Sequence, residues 1–220
     1  MSKRHTTRIL CIAAALCVAP ASAMGRGDST EVETRSVVLG YTADGLHAIT
    51  WTSSTETLTT DNGPLEKKRT SLTLVTLAPK RSERSLCEVT EDGTCPDKLE
   101  KVLQAGYTPL KGLKILDPES YEAQPGDGVA KGYQVKVDRR GSTLFCSLVK
   151  GASVIKLGSV PALARKFTYP PKVELFPAHR VAVCIFHETT AKGEEGTITR
   201  VAFRYVPFHV VLPGARRPAR

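Results

Sequence analysis

No apolar run in this chain reaches the ~20 residues that a membrane-spanning helix needs. The longest, residues 9–19, has eleven, so no helical membrane span is expected. No Cys-x-x-Cys pair occurs, which removes a common thiol-redox motif and a common half of a structural zinc site; no metal is expected. No Gly-x-Ser-x-Gly occurs either. "GST" at 141–143 and "GAS" at 151–153 lack the sharp turn that exposes a serine nucleophile. The glycines of "QPGDGVAKG" at 124–132 follow no strong strand and are not spaced for a dinucleotide, so no cofactor is expected. "TEDG" and "PGDG" read as ordinary turns, not calcium loops. "EKKR" at 66–69 is a single short basic cluster without interleaved aromatics, which argues against nucleic acid as a partner. Aromatic residues are 6% of the chain and Trp51 is the one tryptophan. Core packing is its first reading, an anchor in a binding face its second.

The chain does carry an export signal. Lys3, Arg4 and Arg8 form a basic front end, residues 9–19 an apolar centre, and Ala21-Ser22-Ala23 the small residues a signal peptidase accepts. Leu16 precedes Cys17 where a lipid-attachment signal wants a small residue, so lipidation is not expected. Cleavage after Ala23 leaves 197 residues with 28 Lys and Arg against 22 Asp and Glu, a net of +6. Half of that excess, Arg216, Arg217 and Arg220, lies in a basic tail at 213–220. The expected organisation is a signal peptide at 1–23, a flexible segment at 24–35, one β-rich domain at 36–212, and the tail. A periplasmic or extracellular location follows. The Arg-Gly-Asp at 26–28 falls in the expected flexible segment, and a match of three residues is common by chance.

Four cysteines remain after the signal: Cys87, Cys95, Cys146 and Cys184. An even number in an oxidising compartment reads as two disulfides, and four cysteines allow three connectivities. The favoured pairs are Cys87–Cys95, bracketing the Asp-Gly turn of "CEVTEDGTC", and Cys146–Cys184, on the strand-like runs "TLFCSLV" and "VAVCIF". Alternation puts Cys146 with Leu144 and Leu148, and Cys184 with Ala182 and Phe186, so both sulfurs face a core.

Strand patterns dominate from Val37. "VVLGY" runs into a "TADG" turn and then "LHAITWT", where His47, Ile49 and Trp51 share one face. "TDNGP" at 60–64 is a second turn and "TSLTLVTLA" a further strand, giving a first module at 37–78. The clearest helix follows the disulfide loop: Thr94 or Cys95 caps it, Pro96 suits its first turn, Leu99, Val102 and Leu103 form its apolar face, and Gly106 stops it. Residues 135–160 repeat the plan of strand, polar turn and strand, and 172–206 repeat it again with "FPAHRVAV" in place of "TADGLHAI".

At these residues the chain resembles the blade repeat of TolB-type β-propellers, and secreted bacterial proteins that carry one or two such units. Residues 39–77 carry the resemblance best; at 172–206 Ala178-His179 replaces the Asp-Gly, and 135–149 retains only "VDRRG". The resemblance implies a scaffold that binds proteins or sugars. A propeller needs at least four blades of ~40–45 residues, so three units imply blade-like antiparallel hairpins in an open or two-sheet arrangement. The expected fold is mainly β with one short helix, not a closed propeller.

No catalytic constellation emerges. Glu91-Asp92 and Glu194-Glu195 sit in polar, turn-like stretches, and both disulfides together would leave no thiol nucleophile. The preferred reading is an exported, disulfide-stapled, non-enzymatic module that binds an envelope protein or glycan, with Trp51 and His47 as the candidate binding face. The alternative is a secreted hydrolase assembled from His47, His187 and scattered carboxylates. A stability accessory without a defined ligand is a third.

Overall fold

The computed structural model describes residues 29–90, 93–107, 114–116, 132–190 and 198–213. Threonine- and valine-rich alternation produces four long strands in succession: β1 (Ser29–Thr42), β2 (His47–Thr60), β3 (Gly63–Thr76) and β4 (Ser82–Thr90). Helix α1 (Leu99–Gln104) and the short β5 (Ile115–Leu116) come next. A second meander comprises β6 (Gln134–Arg140), β7 (Thr143–Lys150) and β8 (Ser153–Pro161). After β9 (Lys166–Phe167), a third comprises β10 (Lys172–Phe176), β11 (Val181–Thr190) and β12 (Ile198–His209).

The first and third meanders merge into one sheet of order β10-β11-β12-β1-β2-β3-β4, with β5 on β1 and β9 on β11. The joint is a parallel pairing of β1 with β12, from Thr30 opposite Ile198 to Ser36 opposite Arg204; the other pairings are antiparallel. The second meander is a separate sheet, β6-β7-β8. It packs on the third through Leu144, Cys146, Leu148 and Val160 against Leu175, Cys184, Phe186 and Phe208. Among the described residues neither sheet closes, so the expected open, mainly β fold with one short helix is what forms.

Three expectations need correction. Residues 29–35, expected to be flexible, are ordered as the start of β1, because β2 takes one edge and β12 the other. The helix is shorter than its sequence pattern. Cys95 is held on the sheet, its amide donating to Thr70 Oγ1 at 2.9 Å, and Lys98 rather than Thr94 or Cys95 precedes the first turn. Leu99 and Val102 are buried, whereas Leu103 is 48% exposed. Third, Cys87 and Cys95 are bridged, with Cα atoms 5.9 Å apart, but Cys146 and Cys184 are free thiols within one core cluster. Both lie on inward positions, as alternation required, and there they serve as small apolar side chains. Burial pushes the Cys146 thiol up to about 11 and Cys184 well above its usual value, so neither is a thiolate at neutral pH. The signal, the Arg-Gly-Asp at 26–28, Glu91-Asp92, Glu194-Glu195 and the 214–220 part of the tail lie outside the described residues.

The "TADG" stretch is a tight β1–β2 turn. Asp44 Oδ1 accepts from Thr42 Oγ1 at 2.6 Å and from the Leu46 amide at 3.0 Å, and the Gly45 amide donates to the Thr42 carbonyl at 2.8 Å. Gly45 has φ +67°, and a Cβ there would stand 2.0 Å from the His179 carbonyl oxygen. His179 belongs to the "PAH" turn between β10 and β11, so the turns of the first and third meanders interlock. Gly141, at φ +58°, has open space around it. Gly141→Ala should cost only the ~1–2 kcal/mol of a left-handed alanine, whereas Gly45→Ala should cost at least about 2 kcal/mol more because backbone must move. Urea unfolding of the two variants measures the difference; equal midpoint shifts would refute the interlock. Thiol titration of unreduced protein should find two thiols in denaturant and none in the native state; zero in denaturant would show a second bridge.

Candidate functional site

Register partners in a sheet point to the same face, and this sorts the large sheet into quadrants. One face carries the row Arg204, Ser36, Thr52 and Ser71; the other carries His187, Phe203, Arg35, Ser53 and Thr70. Helix α1 covers the second face over the first meander, where Leu99 and Val102 meet Leu39, Ile49, Leu72 and Leu74. The small sheet covers the first face over the third meander. Two quadrants are left without a covering element among the described residues. One is hydroxylated, over β1–β3. The other is aromatic, over β11 and β12.

The aromatic quadrant is a groove of about 350 Å³ lined by Tyr169, Pro170, Lys172, Ile185, His187, Phe203 and Tyr205. Its rings meet edge to face: Tyr169–His187 at 5.2 Å between centroids, His187–Phe203 at 4.2 Å, and Phe203–Tyr205 at 5.1 Å. Phe203 and Tyr205 lie two apart on β12 and so share a face, and His187 is the direct partner of Phe203 on β11. Tyr169 arrives from outside the sheet. The Thr168 amide donates to the His187 carbonyl at 2.8 Å, and Pro170 stiffens the link into β10. Tyr169 remains 59% exposed. The lining has no carboxylate, serine, threonine or cysteine. It offers ring faces, the Lys172 ammonium and an imidazole, a set that can stack on an apolar group and pair with an anion beside it.

The histidines of the hydrolase reading are not brought together. His47 starts β2 and His187 lies within β11, with β12 and β1 between them, a lateral separation of about 14 Å at sheet spacing. His47 is half-buried opposite Thr76, and its Nδ1 is buried without a hydrogen-bond partner. Trp51 packs against the α1 cluster and donates Nε1–H to the Cys95 carbonyl at 3.2 Å. The indole therefore has a structural role, holding the disulfide loop on the sheet.

No family model, curated protein or solved structure matches this chain.

The interior also holds a buried ion pair. Glu188 is wholly buried and Arg204 is 8% exposed. Arg204 donates from Nε to Glu188 Oε2 at 2.9 Å and from Nη2 to the same oxygen, and Nη2 also reaches the Pro161 carbonyl at 2.9 Å. The Leu163 amide donates to Glu188 Oε1 at 3.0 Å, and Arg139 lies 3.7 Å from it. This cluster clamps residues 161–165 to β11 and β12, and so sets the wall between the two sheets. A signal was present: Glu188 follows Ala182, Cys184 and Phe186 on the inward face of β11, and Arg204 lies between Ala202 and Val206 on β12. A charge on an inward position of an apolar strand implies a buried partner. Glu188→Ala, which strands the Arg204 charge, should cost about 3–5 kcal/mol, while the double change Glu188→Leu with Arg204→Met should restore most of it. Chemical denaturation of the wild type, the single variant and the double variant tests this; a double variant no more stable than Glu188→Ala would show that no coupled pair exists.

Proposed function

We propose that this protein is an exported binding module that docks an apolar segment of another envelope protein in the aromatic groove. The observation that carries the reading is the ring cluster Tyr169–His187–Phe203–Tyr205, a contiguous aromatic surface open to solvent. Binding energy in protein interfaces concentrates on aromatic side chains at the centre of a patch with a polar rim. Here Phe203 and Tyr205 form the floor, and Tyr169 and Lys172 the rim. The groove takes one large side chain and its neighbours, and Lys172 favours an acidic residue beside that anchor. Export is supported by the basic-apolar-small pattern of residues 1–23 and by the Cys87–Cys95 bridge. The three meanders, the basis of the resemblance to TolB-type blades, supply a rigid scaffold.

The test is in-cell photo-cross-linking from position 169, with mass spectrometry of the captured species. One dominant envelope protein is expected, and Phe203→Ala should reduce its capture by about tenfold or more, the loss of a central anchor. Tyr169→Ala, at an exposed position that folding does not require, should weaken the purified complex similarly. An absent adduct, or capture indifferent to both changes, would refute the docking role.

A further inference from the structure

The opposite face of the sheet holds a second concavity, of about 260 Å³, between β1–β3 and the wall clamped by Glu188 and Arg204. Its floor is hydroxylated. Thr34, Ser36, Thr50, Thr52, Ser71 and Thr73 all project there, about 4.8 Å apart across strands and about 6.8 Å apart along them. Thr52 donates to Ser36 at 3.0 Å, and Thr34 bonds Ser54 at 3.2 Å. The hydroxyls of Thr50, Ser71 and Thr73 take part in no hydrogen bond among the described residues. Thr50 is 8% exposed and lines this cavity, so its hydroxyl is open to a guest in the cleft.

The charges at the rim are already matched. Arg81 donates to the Pro207 carbonyl at 2.8 Å and lies 3.4 Å from Glu83, and Arg204 is paired with Glu188. The cleft therefore has no unbalanced charge to attract an ionic ligand. The facing wall is apolar, built from Val160, Pro161 and Leu163. Threonine presents a methyl beside a hydroxyl, as a sugar ring presents C–H beside O–H, and the apolar wall suits the C–H face of such a ring. The volume equals roughly nine waters at about 30 Å³ each, enough for one pyranose and its substituents.

We propose that this cleft binds a neutral saccharide, one ring at a time, with Thr50, Thr52, Ser71 and Thr73 as its hydrogen-bonding floor. The cleft and the aromatic groove lie on opposite sides of β12; Tyr205 lines both, whereas Tyr169 and Phe203 line only the groove. The experiment titrates the purified exported protein calorimetrically with neutral oligosaccharides, namely cellotriose, maltotriose and chitotriose, and with heparin fragments as the anionic comparison. At least one neutral trisaccharide should bind with one-to-one stoichiometry. The double change Thr52→Val with Ser71→Ala should weaken it by about tenfold or more, as expected for two lost hydrogen bonds, and Tyr169→Ala should leave it unchanged. If the double variant fails to fold, Thr73→Val alone should still weaken binding severalfold. No neutral trisaccharide binding up to about 10 mM, a limit weaker than −3 kcal/mol, would overturn the proposal. So would preference for heparin, or binding lost with Tyr169→Ala but retained in the hydroxyl variants.

Discussion

The parallel pairing of β1 with β12 is the constraint on which the rest of this structure depends. Seven register pairs, Thr30–Ile198 to Ser36–Arg204, join a meander at the start of the described chain to one at its end. The ladder joins the two meanders along their strands, and the Gly45–His179 turn contact and the cluster of Tyr41, Ala48 and Val75 with Val181 and Val183 join them at one end. With it, one continuous sheet is covered on opposite faces in its two halves. The two open quadrants are a direct result. An antiparallel meander with one covered face normally turns polar residues to water on the other, and the first meander does so with hydroxyls. The third instead exposes rings beside His187, so the two open quadrants differ in chemistry.

The fold was legible wherever alternation and turn chemistry agreed. "TADG" and "TDNGP" mark the turns that form, and Ile49 and Leu72 fall on the buried face that their period requires. Legibility failed where distant pairing decided the outcome. Residues 29–35 are polar enough to read as loose chain, and only two neighbouring strands make them rigid. β4 carries little strand pattern in the sequence because "SERSLCEVT" exposes most of its side chains at the sheet edge. The helix was overextended because its amphipathic pattern begins at Pro96, whereas Cys95 is tied to Thr70 and Trp51.

The candidate site was less legible than the fold. Trp51 and His47 drew attention as the rare residues of one face, yet the indole is occupied by the Cys95 carbonyl and His47 sits at the turn end of its strand. The groove is assembled from β11, β12 and the link before β10, so no local spacing announces it. The cysteines show the same limit in another form. Alternation assigns a sulfur to an interior, but it does not state whether the neighbouring sulfur becomes a bond or only a packing neighbour; Cys87–Cys95 and Cys146/Cys184 give the two answers within one chain.

The β1–β12 ladder also sets an order of events. A chain emerging from its N-terminus presents β1 well before β12, so the outer edge of β1 stays unpaired until the third meander follows. An open strand edge is a template for any strand of matching register. The strand that matches best is β12, and every copy of the chain carries one. At high local concentration two growing or refolding molecules can therefore trade their final strands, each completing the other's sheet with the contacts it would have made alone. The seam that unifies the sheet is thus also its natural exchange point.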